Sequence, residues 1–184
     1  RVPNIENLGL ERAGVDYNGR GIETDGHMRS SQERIYALGD CVQGIQLSPV
    51  SDPEARTAAR NIVKPGSATD DLGTLPSVVF SYPQLSAVGM GEERARRERN
   101  VRIVQGSGAG WPNYQRLNES HVGYKVIIDK ESETLLGAHL VGPHAGELIN
   151  LFALAMKREI PVGELKELPW AYPTYSADIK YMLG

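Results

Sequence analysis

Between Lys64 and Ser77 the chain runs Pro65-Gly66-Ser67-Ala68-Thr69-Asp70-Asp71-Leu72-Gly73-Thr74-Leu75-Pro76. Two prolines, two glycines and a cluster of short polar side chains leave no helical or strand periodicity to continue through it. The stretch therefore divides the 184 residues into two parts, and the boundary is placed near Leu72. Residues 1–71 form the first part and residues 72–184 the second. Apolar residues make up 40% of the chain, enough for packed cores.

Charge and cysteine content narrow the function classes. The formal net charge is -3, and no basic run is long enough to suggest a nucleic-acid surface. The densest charged stretch, Glu92 to Arg99, mixes both signs and reads as a solvated helix. No apolar run approaches the length of a membrane span. The single cysteine, Cys41, leaves neither a disulfide framework nor a zinc site within one chain. It agrees with a reducing, cytoplasmic setting.

In the first part the informative stretch is Ile35-Tyr36-Ala37-Leu38-Gly39-Asp40. Ile35 to Leu38 is predicted to be a short buried strand. Gly39 then permits an unusual dihedral or a close ligand approach. Asp40 follows at the strand's carboxyl end, where open α/β layers bind ligands. Its carboxylate suits a polyol chain; a Gly-Asp pair by itself is more often a turn. Leu8 and Leu10 are expected to anchor the amino-terminal loop, Asn18-Gly19 to make a hairpin turn, and Ile22 to Thr24 a short strand. Ser51-Asp52-Pro53-Glu54 has capping-box spacing and predicts a helix from there to about Val63.

The second part changes texture. Strands are expected at Ser77–Phe80, Gln84–Met90, Val101–Gln105, Gly123–Asp129 and Leu135–Val141, the last two as a hairpin. Gly106 to Asn118 reads as a Gly-rich loop folded on Trp111 and Tyr114. Leu148, Leu151, Phe152, Ala155 and Met156 recur at helical spacing within Glu147–Lys157. Shorter helices are expected at Glu92–Glu98, Val162–Leu168 and Ala177–Leu183. Strands followed by helices on one sheet face argue for an α+β fold, an antiparallel sheet with helices, preceded by a partial α/β segment. His139 and His144 lie too few and too far from other ligands for a metal site, so none is expected.

The stretch from Thr24 to Asn61 resembles the second FAD-binding segment of the pyridine nucleotide-disulfide oxidoreductases. Val78 to Pro83, Ala87-Val88-Gly89 and Leu136 to Glu147 resemble the dimerisation domain of the same family. The resemblance implies that Asp40 holds the flavin ribityl chain, with Gly39 beside it in the cofactor-binding turn. It implies that Leu47 and Ser48 pass beside the flavin ring, with the following helix aimed at it. It further implies FAD as cofactor, NAD(P)H as reductant, a small-molecule electron acceptor and a homodimer. Arg1-Val2-Pro3-Asn4 resembles the family's exit from its NAD(P)-binding domain, so the chain reads as part of a longer protein.

One departure matters chemically. Disulfide-reducing members carry His-Pro-Thr-x-Ser-Glu near the carboxyl terminus, where the His is the acid-base partner of a redox cysteine. Here the stretch is Tyr172-Pro173-Thr174-Tyr175-Ser176-Ala177. A histidine titrates near neutrality, whereas a tyrosine with a pKa of about 10 remains a neutral donor. Tyr172 is thus the candidate catalytic residue, with interface packing as the competing role. Asp178 stands one position too late to replace the Glu.

Overall fold

The computed structural model describes residues 2–70 and 72–184. They form two compact units, Arg1–Leu72 and Gly73–Gly184.

The first unit has little regular sheet. A single turn of helix, α1 (Leu10–Ala13), is bracketed by Gly9 and Gly14, both left-handed. Strands β1 (Tyr17–Asn18) and β2 (Gly21–Ile22) pair antiparallel across the Gly19-Arg20 loop, and the Arg20 N–H donates to Asn18 Oδ1 at 2.8 Å. Leu10, Val15, Ile22, Ala37 and Val42 make the small core. Leu8, expected as an anchor, is exposed.

Ile35 to Leu38 is not a strand. It contributes one antiparallel bridge, Tyr36 to Arg29, through hydrogen bonds with Ser30 and Met28. A buried strand needs neighbours to take its backbone groups, and the described chain supplies only residues 28–30. For the same reason Ile22 to Thr24 shortens to β2, joined to Val42 by a single parallel bridge.

Helix α2 (Ser48–Val63) begins ahead of the expected Ser51/Asp52 start. Pro49 occupies its first turn, where a missing N–H costs nothing. Pro53 lies inside the helix. The buried face runs Val50, Glu54, Thr57, Ala58 and Asn61, a helical spacing with an unusual polar share. Asn61 is fully used: its amide donates to His27 O and Ala68 O and its Oδ1 accepts the Ala68 N–H. This pins the segment following α2 to the loop at His27.

The second unit is a five-stranded, wholly antiparallel sheet flanked by helices. Its elements are β3 (Ser77–Val79), β4 (Gln84–Gly89), α3 (Glu92–Glu98), β5 (Val101–Ser107), α4 (Pro112–Gln115), β6 (Gly123–Asp129), β7 (Leu135–Gly142), α5 (Ala145–Lys157), α6 (Val162–Glu167) and α7 (Ile179–Met182). The strand order is β3-β4-β7-β6-β5. The α+β reading therefore holds, as does the β6–β7 hairpin. Two local expectations change: the Gly-rich loop contains α4, and the last helix is split into a 3-10 turn at Tyr175–Asp178 followed by α7.

Alternation explains the layers. Val88, Val126, Ile128, Ala138 and Leu140 point from the sheet into one cluster with Leu148, Ile149 and Phe152 of α5. Each large side chain so buried contributes roughly 1.5–3 kcal/mol. The buried Ser86 hydroxyl donates to the Ala145 carbonyl at 2.8 Å, tying β4 to the start of α5. Gly89 and Gly137 face each other across β4 and β7. A Cβ on Gly137 would lie 2.2 Å from Met90 O, so only glycine fits that crossing.

Candidate functional site

The residues singled out by sequence fall into two groups, one in each unit. In the first unit, extended Leu38 delivers the chain into a 3-10 turn over Gly39–Cys41. Gly39 is left-handed, φ 69°, and a Cβ there would meet Ser51 Oγ at 3.2 Å. The turn therefore needs glycine both for its dihedral and for its approach to α2. Its N–H donates to Glu54 Oε2 at 2.6 Å. The Cys41 thiol donates to Leu38 O, and the Asp40 carbonyl accepts from Gln46 Nε2 at 3.2 Å. Gln43 N–H joins Ile22 O.

This bonding brings Gly39 and Asp40 onto the same side of the unit as the start of α2, where Leu47 is half-buried and Ser48 exposed. Asp40 is exposed. Glu54 is only 3% exposed. Burial pushes its carboxyl up and the Asp70 and Asp40 charges add to this, while the Gly39 N–H opposes it. A cavity of about 500 Å³ in this unit is lined by Pro3, Gly19, Arg20, Gln43, Gly44 and Gln46.

The Asp40 carboxylate is an acceptor compatible with a polyol chain such as a flavin's. An exposed carboxylate accepts hydroxyl hydrogen bonds, and a helix amino terminus favours nearby negative charge. Glu54 and Gln46 were not anticipated as parts of this arrangement. Ser51-x-x-Glu54 spacing mimics a capping box, yet the carboxylate reaches Gly39 instead. Its signal was a charged residue on the apolar face of α2.

In the second unit Tyr172 stands 69% exposed, and its bond to Pro173 is cis. The Thr174 hydroxyl donates to Ala171 O at 2.6 Å and accepts the Ala177 N–H at 3.2 Å, closing the arch that carries Tyr172. Ala177 is buried. Asp178 is 2% exposed and accepts from Asn113 Nδ2 at 3.0 Å. Burial raises its carboxyl, and the Asn113 hydrogen bond opposes that shift. Asp178 thus faces inward and does not orient Tyr172. The Tyr175 ring stacks on His144 at 4.3 Å and tilts against Tyr114 at 5.0 Å.

Other candidates have local partners. His139 Nε2 meets Met90 O, and His144 packs on Tyr175. Among the described residues no three His, Cys, Asp or Glu side chains converge as metal ligands. Trp111 stacks on Tyr124 and tilts against Tyr114, and Tyr114 is buried.

Two family models match the chain. "Pyridine nucleotide-disulphide oxidoreductase" matches residues 1–55, and the dimerisation domain of the same name matches residues 75–183. A Staphylococcus aureus relative described as an uncharacterized 19.7 kDa protein in the mercuric resistance operon is 36% identical over 96% of this chain and 100% of its own length. Dihydrolipoyl dehydrogenase of Corynebacterium glutamicum is 35% identical over 97% of this chain, which spans 39% of that enzyme. The HOCl-induced flavoprotein disulfide reductase RclA of Escherichia coli superposes with a TM-score of 0.90 at 28% identity, covering 100% of this chain and 43% of RclA.

Proposed function

Because the chain belongs to the pyridine nucleotide-disulphide oxidoreductase family, we propose that it forms the carboxy-terminal part of an FAD-dependent NAD(P)H oxidoreductase that works as a homodimer. The observation that carries this is the Gly39 turn, locked to α2 by Glu54 with Asp40 exposed beside it.

FAD, when bound, supplies the hydride and electron chemistry. Asp40 accepts hydrogen bonds from the ribityl hydroxyls. Leu47 and Ser48 line the flavin edge, and the amino terminus of α2 favours negative charge at the ring. Tyr172 stands beside a small-molecule acceptor, where its hydroxyl can donate a hydrogen bond. It is a poor proton shuttle for a dithiol, so the acceptor is one that needs hydrogen bonding rather than thiolate exchange.

The test is flavin content and NAD(P)H-dependent dithiol reductase activity of the complete flavoprotein, wild type and Tyr172→His. Bound FAD with weak dithiol activity that rises in the His variant supports the reading. Strong dithiol activity in the wild type overturns the assignment of Tyr172.

The full-length match to a 19.7 kDa relative favours a second reading, in which a chain of this size acts alone as a dimerisation module. Phe80 and Tyr82, 89% and 87% exposed, suit burial in such an interface. Sedimentation of the 184-residue chain as a monomer at high concentration removes that reading.

A further inference from the structure

The Asn113 side chain is 6% exposed, and both hydrogens of its amide are used within one segment. Nδ2 donates to the Thr174 carbonyl at 3.0 Å and to Asp178 Oδ2 at 3.0 Å. These two acceptors mark the start and end of the 3-10 turn over Tyr175–Asp178. Thr174 also closes the arch holding Tyr172 through its hydroxyl bond to Ala171 O. Asn113 itself rides on α4, which is anchored by Trp111 stacked on Tyr124 of β6 at 5.5 Å and by buried Tyr114. A chain of contacts thus runs from the sheet through Asn113 to the base of the arch.

We propose that Asn113 is a positioning residue, fixing the arch from Ala171 to Thr174 so that Tyr172 is presented in one orientation. The assignment of Tyr172 to the acceptor rests on the function proposed above; the strap itself rests on the geometry. An amide suits this place because it is the smallest planar group with two donors. A buried acceptor in its stead takes a donor from the Thr174 carbonyl, which then keeps only the Ala177 N–H, and sets a second acceptor against the Asp178 carboxylate.

That asymmetry gives a test with a sign. In Asn113→Asp two carboxylates share one buried place, so one of them takes up a proton well above the ordinary range. A protonated carboxyl again offers a donor. The other titratable groups at the strap are Tyr114 on α4, Tyr175 and Lys180 on the carboxy-terminal segment, and His144 stacked on Tyr175. The wild type and Asn113→Ala serve as controls at both pH values, since a change arising from any of these groups is present in them as well.

The experiment is 15N relaxation of the 184-residue chain at pH 7.5 and pH 5, for wild type, Asn113→Asp and Asn113→Ala. Wild-type amides at Ala171, Tyr172 and Thr174 are expected near an order parameter of about 0.85 at both pH values. In Asn113→Asp they fall below about 0.6 at pH 7.5 and recover at pH 5. In Asn113→Ala they remain low at both, and the amides of β5, β6 and β7 do not move in any variant. Unchanged arch amides in Asn113→Asp overturn the proposal, as does an equal loss across the sheet. If neither variant folds, exchange of the wild-type Asn113 side-chain amide decides. Protection of both protons supports the strap, and exchange as fast as that of exposed Asn100 removes it.

In the flavin-loaded protein, Asn113→Asp should lower kcat at pH 7.5 about tenfold with partial recovery at pH 5, while the KM for NAD(P)H is unchanged. A Tyr172→Phe variant that turns over like the wild type removes the function assigned to Tyr172 and leaves the relaxation result standing. Failure of the relaxation test removes the strap and leaves Tyr172 in place.

Discussion

The Glu54 carboxylate, 3% exposed, accepts the Gly39 N–H at 2.6 Å and so joins α2 to the turn that presents Asp40. The contact has an electrostatic consequence. Burial raises the Glu54 carboxyl above its ordinary value, so the folded state holds a proton that the unfolded chain has released. Stability from this group is fully present below the unfolded value of about 4.3 and is lost as pH rises through the raised folded value. Glu54→Gln keeps an acceptor for Gly39 and cannot ionise. Urea midpoints of the variant are expected to decline less than those of the wild type as pH rises above about 4.3. Glu54→Ala takes the acceptor from the half-buried Gly39 N–H and is expected to cost about 1 kcal/mol. Parallel pH slopes for wild type and Glu54→Gln would count against this account.

Gly39→Ala tests the turn directly. A left-handed dihedral costs an L-residue roughly 1–2 kcal/mol, and the added Cβ would sit 3.2 Å from Ser51 Oγ. The expected result is a loss of about that size in urea unfolding, with weaker flavin retention in the complete protein. A thermal midpoint equal to wild type would show that the turn relaxes to negative φ.

Much of the second unit was legible because its patterns are local. The hairpin from Gly123 to Gly142 has two branched, apolar runs around a short polar turn, and α5 repeats Leu148, Phe152 and Ala155 on one face. The first unit was less so. Ile35 to Leu38 has strand composition, but a strand is defined by partners, and among the described residues its bridge partners are residues 28–30. The start of α2 was misplaced because Ser51 and Glu54 have capping spacing, while the Glu54 side chain is held by a tertiary contact. Gly39 and Asp40 stand as candidates only through the family resemblance, since Gly-Asp alone reads as a turn. Asn113 left no signal: an asparagine in a Gly-rich stretch looks like a turn former, and its partners lie sixty-one and sixty-five positions away.

Gly137 is expected to be among the least tolerant positions in the sheet. Its missing Cβ leaves room for Met90 O, which would lie 2.2 Å from it, with Met90 N at 3.1 Å. Both are backbone atoms, so no rotamer change can relieve the clash, and β4 and β7 must part. Overpacking of this kind costs about 1–3 kcal/mol or more. Gly137→Ala should lower the urea midpoint clearly, whereas Gly163→Ala, where a Cβ meets nothing within 4 Å, should leave it nearly unchanged or raise it. Equal effects at the two positions would contradict the packing described here.

The proposed homodimer makes a prediction at β3. This strand lies at the edge of the sheet, and the chain leaves it through Phe80 and Tyr82, 89% and 87% exposed. Large exposed aromatics beside an open strand edge are a hazard for uncontrolled pairing unless a specific partner covers them. The Tyr82 hydroxyl already donates to Glu119 at 2.9 Å, which keeps its ring placed before any partner arrives and reduces the ordering cost of association. Phe80 packs into neither buried core cluster, so replacing it with glutamate removes little folding energy and adds a charge that an apolar contact excludes. Phe80→Glu is therefore expected to change the thermal midpoint only slightly. If Phe80 lies in the dimer seam, the variant should weaken self-association by about 2 kcal/mol or more, the scale of an interface hot spot. Sedimentation equilibrium of wild type and variant over a range of concentrations reads this as a roughly thirtyfold rise in Kd. An unchanged Kd would move the interface away from β3, to the faces around exposed Leu154 and Leu168, where the same substitution can be applied in turn.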